Sequence, residues 1–554
     1  MAVAFAAGAL LCGWAASADA TPRVTVAVLP QVATVRELAR EGLSPGLMSA
    51  GLGQVSAART FVDISAGNRE SPPSDAVPGL LRSTIERAGL GGGALRTVHV
   101  PLVALPRLVS TLRDDDLLIA FAAPPPSDNE ALPIGIAGRG FDGDLTSDST
   151  RTDGYVLSTD IAPTILRRLG LSVPDVMNGQ PIRAEGSVDF AAIEDRATRM
   201  AEIPGRRAPV VIACLLAWIA IGFVVNRVIF GLRRVALAWL ALAFAYMPSM
   251  LLIGAWLQPS AVAEGLLVGL GAAALAAITV RFAWGWRGLA IACGTTVIAY
   301  AIDVATGSEL TKLSLLGPNP IFGARFYGIG NELEALIAVM VPVGVGAALS
   351  ASPGSSRRAE MAFLIAGTLA ALIFAAGRFG ADVGAVIVLP VGAAVAVTVV
   401  GWGGGGSRRR VALAVIAAPL VGLAALALID LVSGGNAHLT RSVLDAGGAG
   451  DLADVAERRL RLSAQDFGQA AGNPLFWVVV LGIAVAISQW RRIDAWLEPF
   501  PAARAGVIGA CAAVPVGVLV NDSGATFLVL GSLALGATLA FAWAQAAANP
   551  QKSV

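Results

Sequence analysis

The sequence predicts a polytopic α-helical membrane protein, with about eleven spans and an N-terminal exported α/β domain. Three observations predict it. Of 554 residues, 55% are hydrophobic and only 14% are charged, a composition outside the range of soluble globules. Apolar runs long enough to cross a hydrocarbon core of about 30 Å succeed one another from residue 209 to residue 546. Residues 21–207, by contrast, have a globular composition in which strand-like and helix-like runs alternate.

The first twenty residues form a short apolar run ending in Ala18-Asp19-Ala20. This A-x-A pattern reads as a signal peptide or an uncleaved anchor that exports the domain after it. In the exported domain, Val24 to Leu29, Leu117 to Phe121 and Leu132 to Ile136 read as strands. Val35 to Arg40, Leu80 to Ala88 and Ile161 to Leu169 read as helices, the last capped by Asp160 with Pro163 in its first turn.

Asp160-Ile161-Ala162-Pro163-Thr164-Ile165-Leu166 followed by Leu169-Gly170 resembles an element near the end of alkaline phosphatase and sulfatase superfamily domains, and Leu132 to Phe141 is similar to the strand before it. The resemblance covers about residues 100–185. It implies an α/β fold, and in active members a two-metal site built from Asp and His ligands. Where the resemblance would put those ligands, this chain has Leu29-Pro30-Gln31, Ala122-Ala123-Pro124, Arg151 and Thr152. A non-catalytic relative is therefore expected, with no metal site.

Other chemistries are limited by composition. A net charge of +1 gives no basis for nucleic-acid binding. Cys12, Cys214, Cys293 and Cys511 all fall in apolar runs, so no disulfide framework is drawn from them. With only His99 and His438 present, a histidine-rich metal centre is excluded. No cofactor is legible.

The membrane part, 208–554, has apolar segments at about 209–227, 235–255, 261–280, 288–304, 330–350, 361–377, 381–401, 411–432, 475–490, 503–520 and 525–546. Arginines cluster in alternate loops: Arg227, Arg233 and Arg234; Arg281 and Arg287; Arg357 and Arg358; Arg408 to Arg410; Arg491, Arg492 and Arg504. By the positive-inside rule these loops are cytoplasmic. The α/β domain then lies outside, the C-terminus inside, and the whole in the plasma membrane. The outer loop 433–474 departs from the rule with four arginines, and its stretch Leu452 to Phe467 is spaced as an amphipathic helix at the membrane surface.

Four polar knots interrupt the apolar segments: Pro318 to Glu334, Arg378 to Gly384, Asn436 to Arg441 and Asn521 to Gly524. One charged group placed in hydrocarbon costs about 2.5–3.5 kcal/mol on insertion scales, so packing or chemistry must justify each. Counted from the topology, all four stand at extracytoplasmic span ends, and a single outward cavity is the simplest arrangement. Asp382, Glu332 and His438 are the candidate proton-transfer groups; Arg325, Tyr327, Asn331, Arg378, Arg441, Asn521 and Asp522 are the candidate substrate contacts. Each has a purely structural alternative. Asn331 and Glu332 could cap the next helix, Arg378 and Asp382 could pair four residues apart, His438 could be a solvated loop residue, and Asn-Asp-Ser-Gly could be a plain turn. Asp303 and Glu309 add acidity to the same face.

The late outer loop resembles, in architecture alone, that of the O-antigen ligase and SEDS-type membrane glycosyltransferases. That resemblance implies functional residues on the loop, where His438 and Arg441 stand at its entry. Three functions are thus expected: a transferase handling a lipid-linked phosphate or glycan for the cell envelope, a transporter or flippase with a coupled ion path, or a structural or sensory envelope protein. The expected partner is a membrane lipid or a lipid-linked anionic substrate.

Overall fold

The computed structural model describes residues 21–546 except 31–32, 54, 70–78, 124–130, 229–232, 319, 324, 378, 402–407, 433–460 and 462. Residues 1–20, expected as a signal peptide or anchor, lie outside the described residues. The chain divides into two compact units, Met1–Ser149 with Asp153–Phe190, and Thr150–Thr152 with Ala191–Val554.

The first unit is an α/β layer structure. Strands β1 (Val24–Leu29), β2 (Ser44–Ser49), β3 (Leu95–His99), β4 (Leu117–Ala122), β5 (Ala131–Ala137) and β7 (Tyr155–Leu157) form one sheet in the order β3-β1-β4-β5-β2-β7. Strands β6 (Asp144–Thr146) and β8 (Arg183–Glu185) pair separately. Helices α1 (Val35–Arg40), α2 (Ala57–Ala66), α3 (Leu80–Arg87), α4 (Leu105–Ser110) and α5 (Ile161–Arg168) complete the unit. Alternate residues of β1 and β4 feed two cores. Val24, Val26, Ile119 and Phe121 join α5 residues Ile161 and Ile165, while Ala27, Leu29, Leu118 and Ala120 join Leu38 and Leu105. Apolar burial on both faces is what a largely parallel sheet requires. The predicted strands and helices are all present; β2 is an additional strand, formed although Pro45 and Gly46 disfavour one. Pairing overrides that local preference, with β2 antiparallel to β5 and parallel to β7.

Asp160 does something other than cap α5. Its buried carboxylate accepts from Ser147 Oγ (2.7 Å), Ser149 Oγ (2.6 Å), Leu157 N (2.9 Å) and Gln180 N (2.9 Å), and it makes no side-chain cap bond. Burial pushes its pKa up, and those four donors pull it back. Its role is to fasten three loops around the β7–α5 junction.

Asp116 at the start of β4 accepts from Arg113 (2.7 and 3.0 Å) and from Arg23 N (2.9 Å). Hydrogen bonding from Arg113 above all holds its pKa down at about 2. Because the folded value lies below the unfolded one of about 3.9, the contact stabilises fully above pH ~4 and is lost as pH falls through about 2. Arg113 is half exposed, so solvent screens the contribution to the small scale of a surface ion pair. The stability gap between wild type and Asp116→Asn in acid titration of the full chain is expected to close between pH ~4 and ~2. A gap unchanged at pH 2 would refute the assignment.

The second unit is a helical bundle. It begins with the 39-residue α6 (Phe190–Val228), so the helix starts well before the sequence-derived boundary at 207. The polar first half of α6 reads as globular, but its Arg199 and Arg206 are matched within the bundle. Arg199 makes a two-pronged pair with the buried Glu264 (2.8 and 2.5 Å), and Arg206 stands 3.3 Å from the same carboxylate. Then come α7 (Arg233–Leu257), α8 (Ala261–Phe282), α9 (Trp286–Ala305), α10 (Asn331–Ala351), α11 (Ser356–Ala375), α12 (Val383–Val400), α13 (Arg408–Val432), α14 (Ser463–Ala470), α15 (Pro474–Ser488), α16 (Trp490–Leu497), α17 (Pro501–Val520) and α18 (Gly524–Ala546).

Among the described residues eight helices are long and apolar enough to cross a membrane: α6 to α11, α17 and α18. The count becomes nine if α14 and α15, bent by 103°, form one span. The other predicted segments form α12, 18 residues long, α13, and α15, 15 residues long. Leu216, Phe223, Val262, Leu270 and Phe282 are exposed on the outside of the bundle, while hydroxyls pair inside it: Tyr246 with Thr279 and Ser249 with Thr296, each at 2.8 Å. Apolar outside and polar pairs inside is the arrangement lipid demands. At the centre α10 and α17 meet closely; a Cβ at Gly506 would fall 2.3 Å from the Pro342 carbonyl. Such contact fixes which helix ends come together.

Candidate functional site

Two turns dock backbone to backbone just before α10. Gly328 has φ +80°, and a Cβ there would lie 1.9 Å from the Gly380 carbonyl. Gly328 N donates to Ser308 Oγ (2.9 Å) and Ile329 N to Gly380 O (3.1 Å). The docking brings Arg325 to Asp382, with Nη1 3.4 Å from Oδ2, while the same Nη1 donates to Ile329 O.

Asp382 is the N-cap of α12, and its Oδ1 accepts from Gly384 N (3.0 Å). Its Oδ2 is buried and makes no hydrogen bond. The expected pairing of Arg378 with Asp382 lies outside the described residues, because Arg378 does; α12 begins at Val383, and Ala381 before it is left-handed at φ +52°.

The α17–α18 turn meets the same place. Asn331 Nδ2 donates to Asp522 Oδ1 (2.6 Å) across 191 residues of chain. Asn521 is buried and gives Nδ2 to Gly517 O (3.0 Å). Its Oδ1 and both oxygens of the buried Glu334 crowd Gly384, where a Cβ would lie 2.7 to 2.9 Å from them. Glu332 does not cap α10. It pairs with Arg207 of α6, and Arg207 Nη2 donates to Gly317 O (2.7 Å). The N-cap is Gly330, without a side-chain cap bond. Tyr327 lies beneath Arg151, whose Cζ is 4.0 Å from the ring centre.

Thus Arg325, Asn331, Glu332, Asp382, Asn521 and Asp522 form one polar cluster, with Tyr327 in the same segment. His438 and Arg441 lie outside the described residues, as does most of the expected surface helix. Its described end, α14, places Asp466 Oδ2 against Ala525 N (2.9 Å) in the first turn of α18. Asp303 is a structural acid: it accepts from Leu310 N (3.0 Å) and Thr311 N (2.7 Å), while Glu309 pairs with Lys312 (2.8 Å).

Three contributors escaped sequence reading: Arg207, Glu334 and Asp466. Arg207 stood only as the end of the exported domain in the sequence. Glu334 was legible as a second acid in the same helical turn.

The N-termini of α10, α12 and α18 meet here, and their dipoles favour negative charge. The carboxylates and the two arginines are the groups that moderate that field. A buried carboxylate oxygen held only by an ion pair to a part-exposed guanidinium, with no hydrogen bond, can take a proton from a hydroxyl while the arginine holds an anionic oxygen. Among the described residues no group of three or more His, Cys, Asp or Glu is arranged to hold a metal ion. No family model, no curated protein and no solved structure matches this chain.

Proposed function

We propose that this protein is a plasma-membrane transferase that handles a lipid-linked phosphate or glycan at the extracytoplasmic face during cell-envelope synthesis. The single observation that carries the reading is the Arg325–Asp382 pair, an anion-binding group 3.4 Å from a buried carboxylate whose Oδ2 has no hydrogen bond. Asp382 is the general base, Arg325 binds the phosphate, and Asn331, Asn521 and Asp522 order the site around them. His438 and Arg441 of the outer loop are further candidate contacts. The exported α/β domain presents the acceptor and performs no metal chemistry. Organic extraction of the protein purified in mild detergent, followed by mass spectrometry, is expected to recover a phosphate-bearing lipid at near-stoichiometric yield. Recovery of bulk phospholipid alone, in proportion to its abundance, would count against the reading.

The topology that goes with it has eleven spans after the leader, arginine-rich loops in the cytoplasm and a cytoplasmic C-terminus. A reporter active only outside the cell, fused after Val554, is expected to be silent. Activity there would invert the site's orientation and remove the outer-leaflet substrate.

A transporter or flippase is the second reading. The observation that favours it is Glu334, wholly buried within the first turn of α10 beside Asn521, since an acid inside a span is a usual ion-path element. Substrate-dependent proton uptake into proteoliposomes, without any covalent product, would select it.

A further inference from the structure

We propose that Arg207 is a second arm of the phosphate site, and that the ligand is a diphosphate or a comparably charged phosphate group which displaces Glu332 from it. This deepens the reading above and rests on it. Arg207 and Arg325 are both tied to the short stretch Ile329 to Glu332. Arg325 donates to the carbonyl of Ile329, and Arg207 pairs with the carboxylate of Glu332. Each arginine is held by one carboxylate and one backbone carbonyl, Arg325 by Asp382 and Ile329 O, Arg207 by Glu332 and Gly317 O.

Neither set is saturated. Arg207 Nε is buried with no hydrogen-bond partner. A guanidinium offers five donors, and a buried donor left unmade is costly. On the other side, Asp382 is 2% exposed and its Oδ2 lacks a hydrogen-bond donor. A donor left unmade at Arg207 and an acceptor at Asp382 held only by its 3.4 Å ion pair with Arg325 are complemented by a ligand that carries phosphate oxygens next to a hydroxyl or a protonated phosphate oxygen.

Two phosphate groups suit two arms, because guanidinium–phosphate contact is two-pronged and charge-assisted. Glu332 and Asp382 are then the counter-charges of the empty site. Glu332, part-exposed at 24% of its side chain, is the one free to swing away.

The test uses the full chain in lipid nanodiscs and isothermal titration with three probes: farnesyl diphosphate, inorganic pyrophosphate and farnesol. Wild type is expected to bind the diphosphates and not farnesol. Farnesyl diphosphate binding much tighter than pyrophosphate identifies a lipid headgroup as the source, and equal binding identifies a free anion; both support the site. Arg207→Lys keeps the charge but has no Nε, and is expected to weaken diphosphate binding about ten- to hundredfold, the range for a lost charged hydrogen bond.

Glu332→Gln keeps an acceptor for Arg207 while removing the competing charge, and is expected to tighten binding. A merely structural salt bridge would give the opposite sign, and that sign decides the matter even if Arg207→Lys fails to fold. Unchanged binding in Arg207→Lys, or weaker binding in Glu332→Gln, overturns the proposal. If Arg325→Lys weakens binding in that case, the site of the proposed function stands without Arg207. Wild type that binds no diphosphate removes both.

Discussion

Asp382→Asn is expected, under the proposed function, to lower turnover of a lipid-linked substrate by about 10²- to 10⁴-fold, the contribution of a positioned general base, with little change in melting temperature in detergent. The asparagine retains an oxygen for Gly384 N, so the start of α12 stays capped. What it removes is the proton acceptor and the charge facing Arg325. The measurement is a paired one, in vitro turnover and thermal unfolding of the same preparation. If turnover persists while the melting temperature falls by several degrees, Asp382 is a cap and ion-pair partner only, and another group must move the proton. Asp522→Asn serves as the comparison. It keeps an acceptor for Asn331 Nδ2 at a more exposed position, and its loss of turnover is expected to be far smaller.

Gly328→Ala is the second large effect. At φ +80° an alanine costs about 1–2 kcal/mol in the left-handed region, before any contact is counted. Its Cβ would also lie 1.9 Å from the Gly380 carbonyl, a backbone atom that yields only if the whole turn moves. Adding a further overpacking cost of about 1–3 kcal/mol gives a total near 3 kcal/mol or more. The two docked turns would part, the Ile329 N to Gly380 O bond would break, and Arg325 would be drawn away from Asp382. Function is therefore expected to disappear together with a lowered melting temperature. Gly265→Ala, in α8 with open space around it, is the control and is expected to be neutral or slightly stabilising. Equal behaviour of the two variants would mean that the docked turns do not hold the site.

The secondary structure was readable where apolar periodicity was strong. Val24 to Leu29 and Leu117 to Ala122 alternate between two cores, and the membrane helices are long apolar runs that helix propensity and lipid both favour. It was not readable at Ser44 to Ser49, where the Pro-Gly pair argues against a strand and only pairing on both sides creates one. The break in composition near 207 was real but was not the edge of the unit. Arg199 and Arg206 belong to the bundle because Glu264, distant in sequence, neutralises them.

What the sequence by itself determined is the kind of protein and the places where chemistry could sit. A hydrophobic chain with polar residues at the ends of spans can keep those residues only where they are satisfied, so Arg325, Asp382 and Asn521 stood out without any coordinates. What only the tertiary structure decided is who meets whom. Arg325 faces Asp382, Asn331 faces Asp522, and Glu332 faces Arg207. These pairs depend on contacts such as Gly506 against Pro342 and Gly328 against Gly380, where a missing Cβ lets two backbones approach. Periodicity reports which face of a helix is apolar. It carries no record of the distant segment that will pack there, because that choice is made by shape between residues far apart in the chain.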